Sequence, residues 1–505
     1  MADNASYGGG SAPRASRMHR LKSSLRKLLR DVSWAVTTVS DGVQDWTPFF
    51  LVLSYFVVST CVYMIATSAI LKFFWFIYLM TNTYIASATV IEAVMSIGAS
   101  HAAKKAVAKV AKDGWVFPTA DENLLKLDIV IVAYLPNEQE IIMDRIHYLL
   151  DELQYPRDKL RINVMYNSPY PIQPLEARMH ELAMKFPGNL RVVKVPKSTS
   201  KADNVNYYCS LDTDADVSAI FDCDHYPHPY SARWAMERFV KDSTVDIVQG
   251  RCVIFNSSEN LMTGMIAVEF DKIYAVSHPG RAAMFNFGLF CGSNGYWRTP
   301  LLKQVRMDEG MLTEDIDSAL RAFGMGANAV HELNVVSFEM APVTMAAFWK
   351  QRLRWSQGWL QASWRHLPLI WNRPTVEGKT RSFNQRFGIF SLLLVRELSY
   401  YLMTQYLCLV LNIVIIDFPQ SGEELYKLVF FQYPIAWWFW ILSIVSFLGT
   451  LYVSFHVRSE FVPWWMIPVF TVSYPAQLVL NAVLGLFGHA RQLSKYVKWN
   501  PTPRR

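Results

Sequence analysis

Five long stretches without Asp, Glu, Lys or Arg set the first limit on this fold: Phe49 to Leu71, Phe73 to Ile91, Leu398 to Ile416, Leu428 to Val457 and Phe461 to Gly488. A helix that crosses the apolar interior of a bilayer needs about 20 such residues. The pattern therefore predicts a polytopic membrane protein, with two spans ahead of a long polar region and the others behind it. Hydrophobic residues make up 52% of the 505 and charged residues 18%, a balance that suits buried helices of a soluble protein poorly.

Basic residues orient the chain. Arg14, Arg17, Arg20, Lys22, Arg26, Lys27 and Arg30 precede the first span, and Lys104, Lys105, Lys109 and Lys112 follow the second. The positive-inside rule puts both flanks in the cytosol. Leu21, Leu25, Leu28, Leu29 and Val32 recur at helical spacing among the first group, as in a helix lying on anionic membrane lipids. We expect residues 1–47 to be a disordered start followed by this amphipathic segment. The first residues are small and polar, with no secretory signal. No nucleic-acid-binding module accompanies the positive charge. The six cysteines lack CxxC spacing, which argues against a disulfide frame or a zinc site and fits a reducing cytosol.

The spans, two within 48–98 and two within 386–457, bracket a polar region at 115–345. There Leu127 to Tyr134, Leu160 to Tyr166, Leu190 to Val195 and Val217 to Asp222 are short β-rich runs separated by helix-compatible stretches. This rhythm predicts an α/β domain with a parallel sheet. Ligands of such sheets gather at the carboxyl ends of the strands, which directs attention to Leu135-Pro136-Asn137-Glu138, Asn167 and Asp222. Residues 346–383 are rich in tryptophan and basic side chains and read as interfacial helices. The last apolar run poses a parity problem, because Arg491, Lys495, Lys498, Arg504 and Arg505 behind it favour the cytosol. Pro463, Pro468 and Pro475 interrupt that run, so 461–489 is expected to be a re-entrant or interfacial hairpin of two half-segments, with 490–505 a cytosolic tail.

Three motifs carry chemistry. Asp222-Cys223-Asp224-His225 ends an apolar strand, and its two carboxylates suit Mg2+ or Mn2+ bound with a nucleotide diphosphate. His225 is assigned to the acceptor side or to support of the loop. Ser200-Lys201-Ala202-Asp203-Asn204, with Asn206, offers a cation for phosphate and polar groups for a base or ribose. Thr313-Glu314-Asp315 opens a helix, and Asp315 is the candidate base for an acceptor hydroxyl. In Gln351-Arg352-Leu353-Arg354-Trp355, the amide and indole four residues apart share a helix face. The guanidinium groups suit a diphosphate, and Trp355 suits the apolar face of a sugar ring.

From about residue 45 onward these ordered elements resemble the processive family 2 glycosyltransferases, the group of cellulose, chitin and hyaluronan synthases. Asp222/Asp224, Thr313 to Asp315 and Gln351/Arg354/Trp355 look like its DxD, TED and QxxRW motifs. Phe290-Cys291-Gly292-Ser293 is similar to its acceptor-lining segment. Ala133 to Glu138 also looks like the type 2 glycosyltransferases of filamentous fungi. The resemblance implies a cytosolic GT-A domain inserted among the spans of a plasma-membrane protein. It implies a UDP-sugar donor, a divalent metal, inversion by single displacement, and a growing β-linked polysaccharide exported through the spans. Asp222, Lys201, Asn204, Pro136, Glu138 and Arg354 would then face the nucleotide sugar. Gln351, Trp355, Phe290, Cys291, Ser293 and His225 would face the acceptor. Trp499 to Arg504 resembles a gating element, with Thr502 and Arg504 closing over the nucleotide. Asn167 departs from the aspartate usual after the second strand. The FCGS likeness inclines the reading to a glucan, with chitin- or hyaluronan-like products as alternatives. A membrane enzyme adding one sugar to a lipid, like ceramide glucosyltransferase, is the competing function. Oligomeric state and accessory subunits are not read from the sequence.

Overall fold

The computed structural model describes residues 43–371, 380–431 and 436–496. The basic amphipathic segment and the gating-like tail with Thr502 and Arg504 lie outside them. Eight strands form one sheet: β1 (Leu127–Tyr134), β2 (Leu160–Asn167), β3 (Leu190–Lys194), β4 (Val217–Asp222), β5 (Tyr226–Pro227), β6 (Ile247–Ile254), β7 (Gly295–Arg298) and β8 (Ala329–Glu339). Their order is β3-β2-β1-β4-β7-β6-β8-β5. The first four in that order are parallel to one another, and β7 runs antiparallel between β4 and β6.

The run Leu127-Asp-Ile-Val-Ile-Val-Ala-Tyr134 is buried on both faces, because helices cover both sides of the parallel half. This is why it reads as continuous rather than alternating apolar sequence. Chain order runs outward from β1 to β3, then returns to place β4 on the other side of β1. The crevice at this reversal is where ligands of open α/β sheets bind, and the carboxyl end of β4 is Asp222. The architecture is the expected Rossmann-like GT-A sheet.

The helices that matter for the site are α1 (Val43–Ile65), α2 (Ser68–Lys112), α3 (Lys201–Ser210), α4 (Leu261–Lys272), α5 (Glu314–Met325), α6 (Met345–His366), α7 (Arg396–Asp417), α8 (Ala436–Val457) and α9 (Met466–Leu493). Among the described residues, five helices are long and apolar enough to cross a membrane: α1, α2, Phe383–Asp417, Trp440–Val457 and α9. Helix α2 continues beyond its apolar part and packs on the catalytic unit, where Arg281 reaches Glu92 at 3.3 Å. Arg396 and Glu397, at the start of α7, form an ion pair. His489 of α9 completes it, with Nε2 2.6 Å from Glu397.

One expectation is corrected. The run at 461–489 is not a hairpin of half-segments: α9 is a single helix of 28 residues. Pro463 precedes it and Pro468 falls in its first turn, where the missing N–H costs no helical bond. Pro475 alone is interior. Met466, Ile467, Phe470 and Leu484 pack in one cluster with Ile266 and Phe270 of α4 and Phe348 of α6, while Leu486 and Ala490 toward its far end meet Val52 of α1.

Candidate active site

Asp222, the Gly292–Ser293 loop and the acidic turn at Glu314–Asp315 converge at the carboxyl end of β4, and a single lysine shows how closely. Helix α3 starts with a capping box: Ser200 Oγ accepts from the Asp203 N–H, and Asp203 accepts from the Ser200 N–H. The cap fixes Lys201 at the first position of the helix. Its ammonium donates to Asp222 Oδ1 and to the Gly292 carbonyl, each at 2.6 Å. The charges of Asp222, Glu314 and Asp315 hold the Lys201 ammonium protonated against its burial. One cation thus joins the DxD strand end, the FCGS loop and the acidic turn of α5.

Gly292 has φ +97°, and a Cβ there would stand 2.6 Å from Asp315 Oδ2. Glycine is required for both reasons: the left-handed backbone and the close carboxylate. Next to it, Ser293 Oγ accepts from the Asp222 N–H at 3.1 Å. Gln249 holds the same loop, accepting from the Cys291 N–H at 2.8 Å and donating to the Ser293 carbonyl at 2.9 Å. Burial pushes the Cys291 thiol up, so it stays protonated. Burial also raises the Asp315 carboxyl, with Lys201 and Arg354 opposing it. Burial and the neighbouring Asp315 push Glu314 up to about 7.

Helix α6 is capped by Thr344, whose side chain accepts from the Ala347 N–H. Gln351, Arg354 and Trp355 share one face, as their spacing requires, and Arg354 donates to the Leu312 carbonyl at 3.1 Å beside the TED turn. Arg352 lies over the Trp355 ring, 4.8 Å from its centroid. It makes a two-pronged bond to Glu269 of α4 at 3.0 and 2.6 Å, so the expected guanidinium pair is reduced to Arg354. The helix seats on Thr313 through Gly358: a Cβ there would meet Thr313 Cγ2 at 2.5 Å and its backbone N at 2.9 Å.

On the nucleotide side, Asn204 donates to Asn167 Oδ1 at 3.0 Å and accepts from Ser198, so the two amides act as one unit at the ends of β2 and α3. Pro136 and Glu138 lie in the short helix Leu135–Glu138 that follows β1. Two other polar groups of the Lys201 segment are spent on structure. Asp203 is the cap, and Asn206 is bonded in both directions to the Met307 backbone.

Phe290 also needs correction. Expected beside an acceptor, it is fully buried and packs edge-on against Trp297 in the core beneath β7. As the first residue of the FCGS run it looks functional in sequence, but the loop turns after it. Reading the sequence also missed Gln249, Gly358 and Arg145. The buried Arg145 donates to the Cys223 carbonyl at 2.7 Å and lies 2.9 Å over the Tyr226 ring, bracing the DxD turn. On an amphipathic helix it reads as a solvated charge.

Asp222, Asp224 and His225 offer ligand atoms within 4.8 Å of one another. This donor set, mainly carboxylate oxygen beside a crevice, fits a hard divalent cation.

A membrane-flanked α/β unit with paired carboxylates at the sheet reversal and a second acidic turn facing them defines a nucleotide-dependent transferase. The description "Glycosyl transferase family group 2" matches residues 219–484, and the chain belongs to that family. "Probable glycosyltransferase YdaM" of Bacillus subtilis (strain 168) is 22% identical over 243 residues, 48% of this chain and 57% of that protein. "Probable glucomannan 4-beta-mannosyltransferase 7" of Oryza sativa subsp. japonica is 27% identical over 212 residues, 41% of this chain and 36% of that protein. The aligned part thus spans little more than half of the first relative and about a third of the second. Among solved structures, the mannosyltransferase PcManGT from Pyrobaculum calidifontis in complex with GDP-Man and Mn2+ matches with TM-score 0.46 and 16% identity, over 72% of this chain and 97% of that one.

Proposed function

We propose that the protein is an inverting, processive polysaccharide synthase that takes a nucleotide-activated hexose and extends a β-linked chain at the membrane. The observation that carries this reading is the Lys201 junction, which gathers Asp222, Gly292 and the acidic turn at Asp315. Asp222 and Asp224, with His225 beside them, would hold Mg2+ or Mn2+. That ion supplies charge neutralisation for the departing diphosphate.

The chain's own residues do the rest. Lys201 and Arg354 bring positive charge to the diphosphate, and the Asn167–Asn204 pair meets the base or ribose. Cys291, Ser293, Gln351 and Trp355 border the acceptor. Asp315 accepts the proton of the attacking hydroxyl, and its burial keeps the carboxylate basic enough to do so.

The architecture supports four crossings, with α9 packed against the catalytic unit. The turn before α9 is anchored there, since Arg251 donates to the Val457 carbonyl at 2.7 Å and Asp271 accepts from the Ser459 N–H. The far end is anchored too, through Gln357 Nε2 to the Tyr496 carbonyl at 2.7 Å. These contacts support a reading in which both ends of α9 lie on the cytosolic side with the catalytic unit.

The sequence likeness inclines to a glucan, and the name of the rice relative adds mannose to the sugars to be tried. The test is reconstitution in liposomes with Mn2+ or Mg2+ and a panel of labelled UDP-sugars and GDP-mannose. We expect a polymer cut by one linkage-specific hydrolase, and transfer lost by about 10²–10⁴-fold in Asp315→Asn with nucleotide binding retained. A short product that partitions with lipid would replace processive synthesis by single transfer. Full activity in Asp315→Asn would remove the base assignment.

A further inference from the structure

Beside the DxD turn, on the face away from Lys201, the sheet assembles a second set of metal-type ligands. Strands β6 and β8 pair in parallel with Cys252 opposite Ser337 and Ile254 opposite Glu339. Cys252, Ser337 and Glu339 therefore share one face of the sheet. Strand β5 pairs with β8 through Tyr226 opposite Phe338, which brings the preceding residue, His225, level with Glu339. The result is a group in which His225, Cys252 and Glu339 present one nitrogen, one sulfur and one carboxylate oxygen within 4.8 Å of one another.

The orientation of the imidazole suits a ligand. His225 Nδ1 is hydrogen-bonded to Ser337 Oγ at 3.0 Å. That leaves Nε2 as the nitrogen turned to Glu339, at 3.6 Å from Oε2. A hydrogen bond on the far ring nitrogen is how metal-ligating histidines are held. In a tetrahedral zinc site, bonds of about 2.0–2.3 Å put neighbouring ligand atoms about 3.5 Å apart, so the His–Glu edge is already near that length. His225 and Cys252 are buried and Glu339 is half-buried.

We propose that His225, Cys252 and Glu339 form a binding site for a thiophilic divalent cation of the zinc class, distinct from the Asp222/Asp224 pair. Sulfur and imidazole nitrogen select zinc, cobalt or copper ions over magnesium and manganese, which prefer the oxygens of the neighbouring carboxylates. Binding replaces the thiol proton of Cys252, which leaves to solvent. Three protein ligands leave the fourth position open. Because His225 also stands within 4.8 Å of Asp222 and Asp224, the two sites draw on one imidazole, and filling the sulfur site withdraws it from the DxD turn.

Cobalt reports this site directly, since a thiolate ligand gives an intense near-ultraviolet charge-transfer band and carboxylates alone do not. The full chain, chelated and then titrated with Co2+ under reducing conditions, should develop the band at one equivalent and lose it to added Zn2+. The band should be absent in Cys252→Ser and Glu339→Gln, and present in Cys223→Ser. It should persist in an Asp222→Asn/Asp224→Asn variant, where donor binding fails, which separates this proposal from the assignment of the transferase site. Ser337→Ala should weaken Co2+ binding by about 10–100-fold. No band in the wild-type chain overturns the proposal, whatever the variants do. A band that survives Cys252→Ser, or that vanishes in the Asp222/Asp224 variant, also overturns it by locating the ion elsewhere.

Discussion

Gly358→Ala tests whether the seat of α6 on the TED turn sets the catalytic geometry. The added Cβ would stand 2.5 Å from Thr313 Cγ2, 2.7 Å from Oγ1 and 2.9 Å from the Thr313 backbone N. Carbon atoms rest about 3.5–4.0 Å apart, so helix and turn must separate by about 1 Å. Rotating the Thr313 side chain cannot relieve the contact with its backbone. Overpacking of this kind costs about 1–3 kcal/mol of stability, which a folded chain can absorb. The catalytic cost is larger, because a displacement of about 1 Å between Asp315 and the Gln351/Arg354/Trp355 face corresponds to about 100-fold in rate. The assay is the steady-state rate of sugar transfer in detergent micelles, alongside thermal unfolding and nucleotide affinity. We expect kcat to fall by about 100-fold with nucleotide affinity nearly unchanged. Gly449→Ala is the control, since its Cβ would meet nothing within 4 Å. A Gly358→Ala enzyme with unchanged kcat would refute the reasoning.

Two further outcomes follow from the site. Glu314 binds its proton more tightly in the folded chain, with its carboxyl raised from an ordinary 4.5 to about 7. The folded state therefore holds more protons across that interval, and stability declines as pH rises through it, then levels off above. Thermal midpoints measured across that interval should fall with pH in the wild type and fall less in Glu314→Gln; equal slopes would contradict the raised carboxyl. Arg352 and Arg354 should separate by assay: Arg352→Ala lowers the thermal midpoint by stranding Glu269, with the donor KM little changed, while Arg354→Ala raises the donor KM. The reverse pattern would exchange their roles.

The parallel half of the fold was legible because its strands are buried on both faces. Leu127–Tyr134 and Val217–Asp222 stand in the structure with the same bounds as in the sequence. The other half was not: β5 and β7 have only two and four residues, too few for a period to show, and β6 and β8, of eight and eleven, were not read as strands either. The catalytic motifs could be found because their chemistry demands uncommon residue types in order. Their supports could not. Gln249, Arg145 and Gly358 are defined by what faces them from distant segments, and Phe290 was misplaced for the same reason. Three prolines suggested a broken hairpin at 461–489, yet only Pro475 falls where a helical bond is lost.

Local composition thus determined by itself that this chain has membrane-length helices around an α/β unit, and it singled out Asp222, Asp224, Asp315, Gln351 and Trp355 as the residues proposed for its chemistry. Apolar length and charge are properties of neighbouring residues and are written along the chain. The tertiary structure alone decided that Lys201 joins three motifs at one point, that α9 packs against the catalytic unit, and that His225, Cys252 and Glu339 share a face. Those facts depend on strand order and register, which bring together residues that no spacing in the sequence connects.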